Sequence, residues 1–294
     1  MSQFLSLTAN GLAKGAVFAA VALALVLIWR STRIVNFAQG GMAMISAFVA
    51  LKVIDGTGSY WLGFLAGLAA GFALGAVLER VLIRWVEDAP PLNAVIVTLG
   101  LLILLQAVAG MLFGLNPRPF PTAVSEKSLS VGATNLLSRF DLFIIVAVLL
   151  VMVALAVLFT RTPVGLRMRA SAFAPEVSRL VGVRVGRMLT LGWALAAVVG
   201  ALAAMLVVAG NASGGLSPNA LDVVFVSGFT AAIVGGLDSP VGAVIGGLVV
   251  GLVLSYAVGY LDPQATPLAA FVMLIGVLLV RPGGLFAPAQ ARVV

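Results

Sequence analysis

Cysteine and histidine are both absent from the sequence. Without cysteine, disulfides and thiolate metal sites are excluded. Without histidine, imidazole proton relays and histidine-based metal chemistry go too. Charge is the third scarcity. A water-facing domain carries roughly 25% charged residues, against 9% here, while 62% are hydrophobic and the mean hydropathy is +1.19. Such a surface has to face lipid. With about 20 residues per spanning helix, the 294 residues leave room for roughly eight to ten crossings and none for a soluble catalytic domain.

Lysine is also rare, at positions 14, 52 and 127, and none follows glycine. A phosphate-cradling loop needs Gly-Lys followed by Ser or Thr, so any ATP hydrolysis must come from another polypeptide. The N-terminus is apolar from Phe4 but lacks a basic leading region. After Trp29 come Arg30-Ser31-Thr32-Arg33 and a second apolar segment, which reads as a retained first span, not a cleaved signal peptide.

What is present is a succession of apolar runs at 9–29, 35–53, 60–84, 93–114, 141–160, 189–209, 221–237, 241–261 and 265–280. They predict an all-α polytopic membrane protein of eight or nine transmembrane helices, forming one domain over 1–294. The net charge of +7 is concentrated. Arg161, Arg167, Arg169, Arg179, Arg184 and Arg187 all lie in one loop, about 161–188. Such an excess marks the cytoplasmic side and is better explained by topology than by nucleic-acid binding. Fixing that loop inside puts Arg30–Arg33 and Arg80–Pro91 inside. Asp55–Ser59, Asn116–Arg139 and Gly210–Asn219 then lie outside, with the N-terminus outside and the tail, bearing Arg281 and Arg292, in the cytoplasm. This closure needs 221–237 to cross. That run is short and ends in Gly235-Gly236, so a broken or re-entrant helix is the alternative.

Gly63, Gly67, Gly71 and Gly75 recur every four residues, and Gly247, Gly251, Ser255 and Gly259 do the same. Each set forms a smooth strip on one helix face where a second helix, of this chain or of another, can approach closely. Charges within spans are few. Glu79 and Arg80, with Arg84 one turn on, are placed to pair locally. No carboxylate falls at a span centre, where a gradient-driven carrier commonly keeps one. Asn36 and Gln39 are costly amides at the start of a span, followed by Gly40-Gly41. They serve either a pathway or gate, together with Phe37, or an interhelical hydrogen-bonded clamp, and the clamp is the favoured reading. Thr98, Gln106, Ser227 and Thr230 face either a path or a neighbouring helix.

Within the basic loop, Pro175 suits the first position of a short helix, Glu176 suits its positive end, and Gly182 suits its close. Val177, Leu180 and Val181 then share a face with Arg179 off it. Such a helix, Ala174–Val183, either lies on the membrane surface or docks a partner.

The first span and its exit, ending in Val35-Asn36-Phe37-Ala38-Gln39-Gly40, closely resemble the N-terminal signature of the branched-chain amino acid ABC transporter permeases (LivH-like). That family usually has His where this chain has Gln39. Glu176–Val183 resembles the family's cytoplasmic coupling loop, and Ala231–Gly247 its late glycine-rich motif. Arg281-Pro282-Gly283-Gly284-Leu285-Phe286 is similar to its C-terminus. With Thr98-Leu99-Gly100-Leu101, the matches run in order over nearly the whole chain. The resemblance implies the permease of an importer in the bacterial inner membrane, with no cofactor or metal. Its partners would be a second homologous permease, two cytoplasmic ATPases that engage Ala174, Glu176, Arg179, Leu180, Gly182 and Val183, and a periplasmic or extracellular amino-acid-binding protein. Substrates related to branched-chain amino acids, such as urea or amides, remain open, as does a self-sufficient secondary carrier.

Overall fold

The computed structural model describes residues 2–87, 89–125, 127–131, 134–209, 214–262, 266–281 and 283–286. Gly210, Pro282 and Arg292 lie outside the described residues. Nine apolar helices correspond to the nine runs: α1 (Ser2–Thr32), α2 (Gln39–Thr57), α3 (Tyr60–Val81), α4 (Pro91–Phe113), α5 (Arg139–Arg161), α8 (Val185–Val208), α9 (Asp222–Gly235), α10 (Pro240–Tyr260) and α11 (Thr266–Val280). Two more helices, α6 (Pro163–Phe173) and α7 (Pro175–Leu180), stand between α5 and α8. Seven of the nine are long and apolar enough to cross a membrane; α9 and α11 are shorter apolar helices.

Capping residues explain where several helices begin. Ser138 and Asp141 form a reciprocal capping box at α5, with the Asp141 amide donating to Ser138 Oγ and the Ser138 amide donating to Asp141 Oδ2. Thr162-Pro163 and Ser239-Pro240 repeat one device: a side-chain oxygen accepts from the amide three residues on, and proline takes the first helical position.

The bundle is built around α1, which packs against α10, α8, α9 and α5. Its apolar window is 89% buried and that of α8 78%, against 17% for α5, so α1 and α8 are the centre and α5 the rim. The glycine strips make this closeness possible. A Cβ on Gly71 or Gly75 would meet Ala197 and its neighbours on α8 within 3.0 Å, and one on Gly63 or Gly67 would meet Ala50 of α2. On α10, Gly247 and Gly251 rest on the backbone of Ala19 and Gly15 in α1. All three partner helices belong to this chain.

Contacts between loops assign the ends. Arg118 and Leu216 exchange backbone hydrogen bonds of 2.9 and 2.7 Å, which joins the segment after α4 to the segment ahead of α9. At the opposite end Arg33 pairs with Asp238, and Arg84 bonds the Gly186 carbonyl. Leu216 and Asp238 therefore sit at opposite ends of the bundle, and the chain crosses between them. The α9 helix has 14 residues, about 21 Å at 1.5 Å per residue, against a hydrocarbon core of about 30 Å. Irregular backbone completes the passage. This is a broken crossing, not a re-entrant loop, and on its non-helical flanks Leu216, Leu221 and Gly236 are buried within the bundle.

One element departs from the all-helical expectation. Strands β1 (Ser128–Val131) and β2 (Thr134–Ser138) pair antiparallel, with an irregularity between Leu129 and Ser130. Helix α6 likewise was not expected from the basic loop.

Candidate functional site

Three groups of polar residues meet α8 or lead into it. At its N-terminal end, Glu79 of α3 is 1% exposed and is the only charged residue buried among the described residues. Arg84, on the 3-10 turn Ile83–Trp85, donates to both Glu79 carboxylate oxygens at 3.0 Å and to the Gly186 carbonyl at 2.9 Å. Thr190 Oγ1 donates to Glu79 Oε2 at 2.6 Å. The network ties α3 to the first turn and a half of α8. The local pairing expected from spacing is present, with Arg84 and not Arg80 as its cation; Thr190 and Gly186 had no signal in the sequence.

Further along α8, Gln39 Nε2 donates to the Ala196 carbonyl at 3.0 Å, and Asn36 Nδ2 donates to Gln39 Oε1 at 3.2 Å. Asn36 Oδ1 in turn accepts from the Ala38 amide at 3.0 Å, which holds the turn into α2. Both amides are buried. Gly200 makes room: a Cβ there would lie 2.1 Å from Gln39 Nε2. Unpartnered amides in a dry interior would cost several kcal/mol (about 4–8 against a hydrocarbon reference). These are all partnered, and the arrangement is that of a clamp between α2 and α8.

The other polar positions separate. Phe37 packs against Phe225 and Phe229 of α9, with centroids 6.4 and 5.7 Å away, and Gly40 faces the Phe225 side chain. A small cavity of about 20 Å³ lies beside Gln39, Gly40, Gly200 and Phe225, room for little more than one water. Thr98 is buried and directs its hydroxyl to Ala94 O and Val95 O of its own helix, with Val35 O at 3.5 Å. Ser227 and Thr230 return theirs to Val223 O and Val226 O. Gln106 donates to Asp222 Oδ1 at 2.9 Å, linking α4 to the start of α9. Asn36, Phe37, Gln39 and Gly40 are thus gathered against α8 and α9, whereas Thr98 and Gln106 stand on α4.

The third group precedes α8. The α7 helix opens on Pro175 with Glu176 in its first turn, and Arg179 Nη1 donates to Glu176 Oε1 at 2.7 Å. It closes by two reversed bonds, Gly182 N to Arg179 O at 3.0 Å and Val183 N to Ser178 O at 2.9 Å, with Gly182 left-handed at φ 82°. This pairing of bonds is the glycine-terminated close that a helix uses to reverse its chain. Val177, Leu180 and Val181 do share a face, and the face is bare: Leu180 is 87% exposed, and Phe173 at the end of α6 is 93% exposed. Meanwhile Gly165 sits so close to α5 that a Cβ would lie 2.2 Å from Leu158 O, which fixes α6 beneath the bundle.

The family described as branched-chain amino acid transport system / permease component matches residues 7–281. The chain belongs to that family. It is 27% identical to the high-affinity branched-chain amino acid transport system permease protein LivH of Salmonella typhimurium over 294 residues, covering 96% of this chain and 95% of the relative. It is 28% identical to the BraD permease protein of the corresponding system of Pseudomonas aeruginosa over 296 residues, with the same coverage. A probable LivH of Methanocaldococcus jannaschii is 26% identical, covering 90% of this chain and 87% of that protein. Among solved structures, PsaBC from Streptococcus pneumoniae in complex with Fab shares the fold, with a TM-score of 0.50 at 15% identity over 92% of this chain and 89% of that one. The chain is therefore a membrane-embedded transport permease.

Proposed function

We infer that this chain is the permease subunit of an ATP-driven importer, moving a branched-chain or related apolar amino acid inward, with no catalytic chemistry of its own. Residues 1–294 form one permease domain with its coupling loop at about 161–188. The observation that carries the reading is the bare apolar face of α7 at the Arg-rich end of the bundle, four residues ahead of the deeply buried α8. A six-residue helix with exposed Val177, Leu180 and Val181 is stabilised by a protein groove.

The partners are cytoplasmic ATPases that receive Ala174–Val183, a second homologous permease, and an external protein that delivers the amino acid. In a lone pair of permeases, two ATPases match the two copies of the loop. Closure of the ATPases displaces α7, the displacement enters α8 through the short connection at Val183-Arg184, and the two polar networks carry it to α3 and α2. Access then alternates at the interface between subunits, with Asn36, Phe37, Gln39 and Gly40 near the moving contact of α2, α8 and α9. Arginine excess puts α6 and α7 in the cytoplasm of the bacterial cell, the N-terminus outside and the C-terminus inside.

A gradient-driven carrier is the competing reading. A proton-coupled carrier commonly keeps an ionisable group free to load and unload within a span, and the buried Glu79 is already held by Arg84 and Thr190. Reconstitution into vesicles with the ATPases and the binding protein tests the two. ATP-dependent uptake that ceases in Glu176→Ala/Gly182→Val, while ATP hydrolysis persists and the protein still inserts, is expected. Uptake by the lone chain on an ion gradient, or full uptake in the double variant, would overturn the proposal.

A further inference from the structure

The largest cavity described, about 550 Å³, opens at the same end of the bundle, between α1, α5, α6, α8 and α10. Its two halves differ in chemistry. Toward the middle of the bundle the walls are apolar, with Leu23 and Leu27 of α1 facing Leu155 and Phe159 of α5. At the rim, Arg30 of α1 and Arg33 just past its end meet Arg169 of α6. Arg33 is engaged by Asp238 and lies over the Trp29 ring. Arg30 and Arg169 have no ion-pair partner within 4 Å among the described residues, and Arg30 lies within Coulombic reach of Arg33, Arg169 and Asp238. Three guanidiniums thus converge against one carboxylate.

The three guanidiniums are exposed at the head of an apolar groove, and that pairing of chemistries suits an anion with an apolar tail. A free phosphate would satisfy the rim and leave the groove empty; a neutral lipid would fill the groove and leave the guanidiniums repelling one another. Guanidinium binds phosphate oxygens in a bidentate fork, and basic pockets between spanning helices on the cytoplasmic side are suited to anionic headgroups. We propose that this cavity is a binding site for an anionic phospholipid, its phosphate held by Arg30 and Arg169 and one acyl chain lying along Leu23, Leu27, Leu155 and Phe159. The site joins the central helix α1 to α6, the element directly ahead of α7, so a bound lipid would brace the loop against the bundle. It does not depend on which solute the protein carries.

Native mass spectrometry of the full chain in mild detergent, titrated with phosphatidylglycerol or phosphatidylcholine, tests the proposal. The wild type should retain phosphatidylglycerol selectively. Arg30→Ala/Arg169→Ala should weaken that binding by about fivefold per arginine, about 25-fold together, and Arg30→Lys/Arg169→Lys should restore most of it. Ala156→Trp fills the groove from an exposed position on α5 and should abolish lipid retention with the arginines intact. If the double alanine variant does not fold, Arg169→Gln on the exposed face of α6 carries the test, with the single fivefold loss expected. Equal retention of the two lipids, unchanged binding in the arginine variants, or displacement of phosphatidylglycerol by millimolar inorganic phosphate would overturn it. So would binding by the lone chain that disappears in the assembled transporter, since a protein partner would then be the occupant.

Discussion

The helices α7 and α8 are separated by four residues and obey opposite rules. In α8, Trp193 is fully buried, small residues let α3 and α2 press close, and two polar networks grip the backbone at Gly186 and Ala196. In α7, the apolar side chains contact little of their own chain, and the only ion pair, Glu176–Arg179, is exposed. An exposed ion pair contributes about 0–1 kcal/mol. The difference teaches that α8 is held by the rest of the protein, whereas α7 is shaped by its own backbone and leaves its apolar face bare. Its ends are set by Pro175 and Gly182, so its form does not depend on packing against the bundle.

Mutations can break that contrast at either helix. The largest effect on stability is expected from Arg84→Ala. It leaves the Glu79 carboxylate buried with a single hydroxyl partner, and breaking a buried pair of this kind costs about 3 kcal/mol, the lower end of its range because Arg84 keeps some solvent. Thermal unfolding in mild detergent reads it. Next comes Gly75→Leu, whose side chain would have to displace the Trp193 carbonyl and Ala197; overpacking of this sort costs about 1–3 kcal/mol. Gln39→Leu should be milder, because an interhelical hydrogen bond in membrane proteins is worth about 0.6 kcal/mol on average. It should nonetheless slow uptake, since the α2 contact with α8 loosens. Leu180→Ser at the other helix should leave the unfolding curve unchanged within about 0.5 kcal/mol, and yet abolish ATP-driven uptake.

The nine apolar runs and the boundaries of α7 were legible because each rests on local signals, hydropathy and the pairing of Pro175 with Gly182. The strips of Gly63–Gly75 and Gly247–Gly259 were legible as faces but not as contacts. Spans that are apolar all round carry no periodicity to show which side turns inward, so the meeting of Gly75 with α8, or of Gln39 with Gly200, lay beyond reading. The bonds from Glu79 to Thr190 and from Arg33 to Asp238 were hidden for the same reason. The α6 helix escaped because Arg167 and Arg169 interrupt its apolar residues, although Thr162-Pro163 carried the start signal. The β1–β2 hairpin escaped because it sits in a connection too polar to be read as a span, even though Leu129 and Val131 alternate with serines.

The most direct test of the account is to purify the full chain in mild detergent after co-expression with its ATPase subunits, comparing the wild type with Leu180→Asp and recording retained ATPase and unfolding temperature together. The wild type is predicted to keep the ATPases, and the variant to lose them while unfolding at the same temperature. Equal retention by the two proteins would contradict the account, because α7 would then not be the element through which the ATPases take hold.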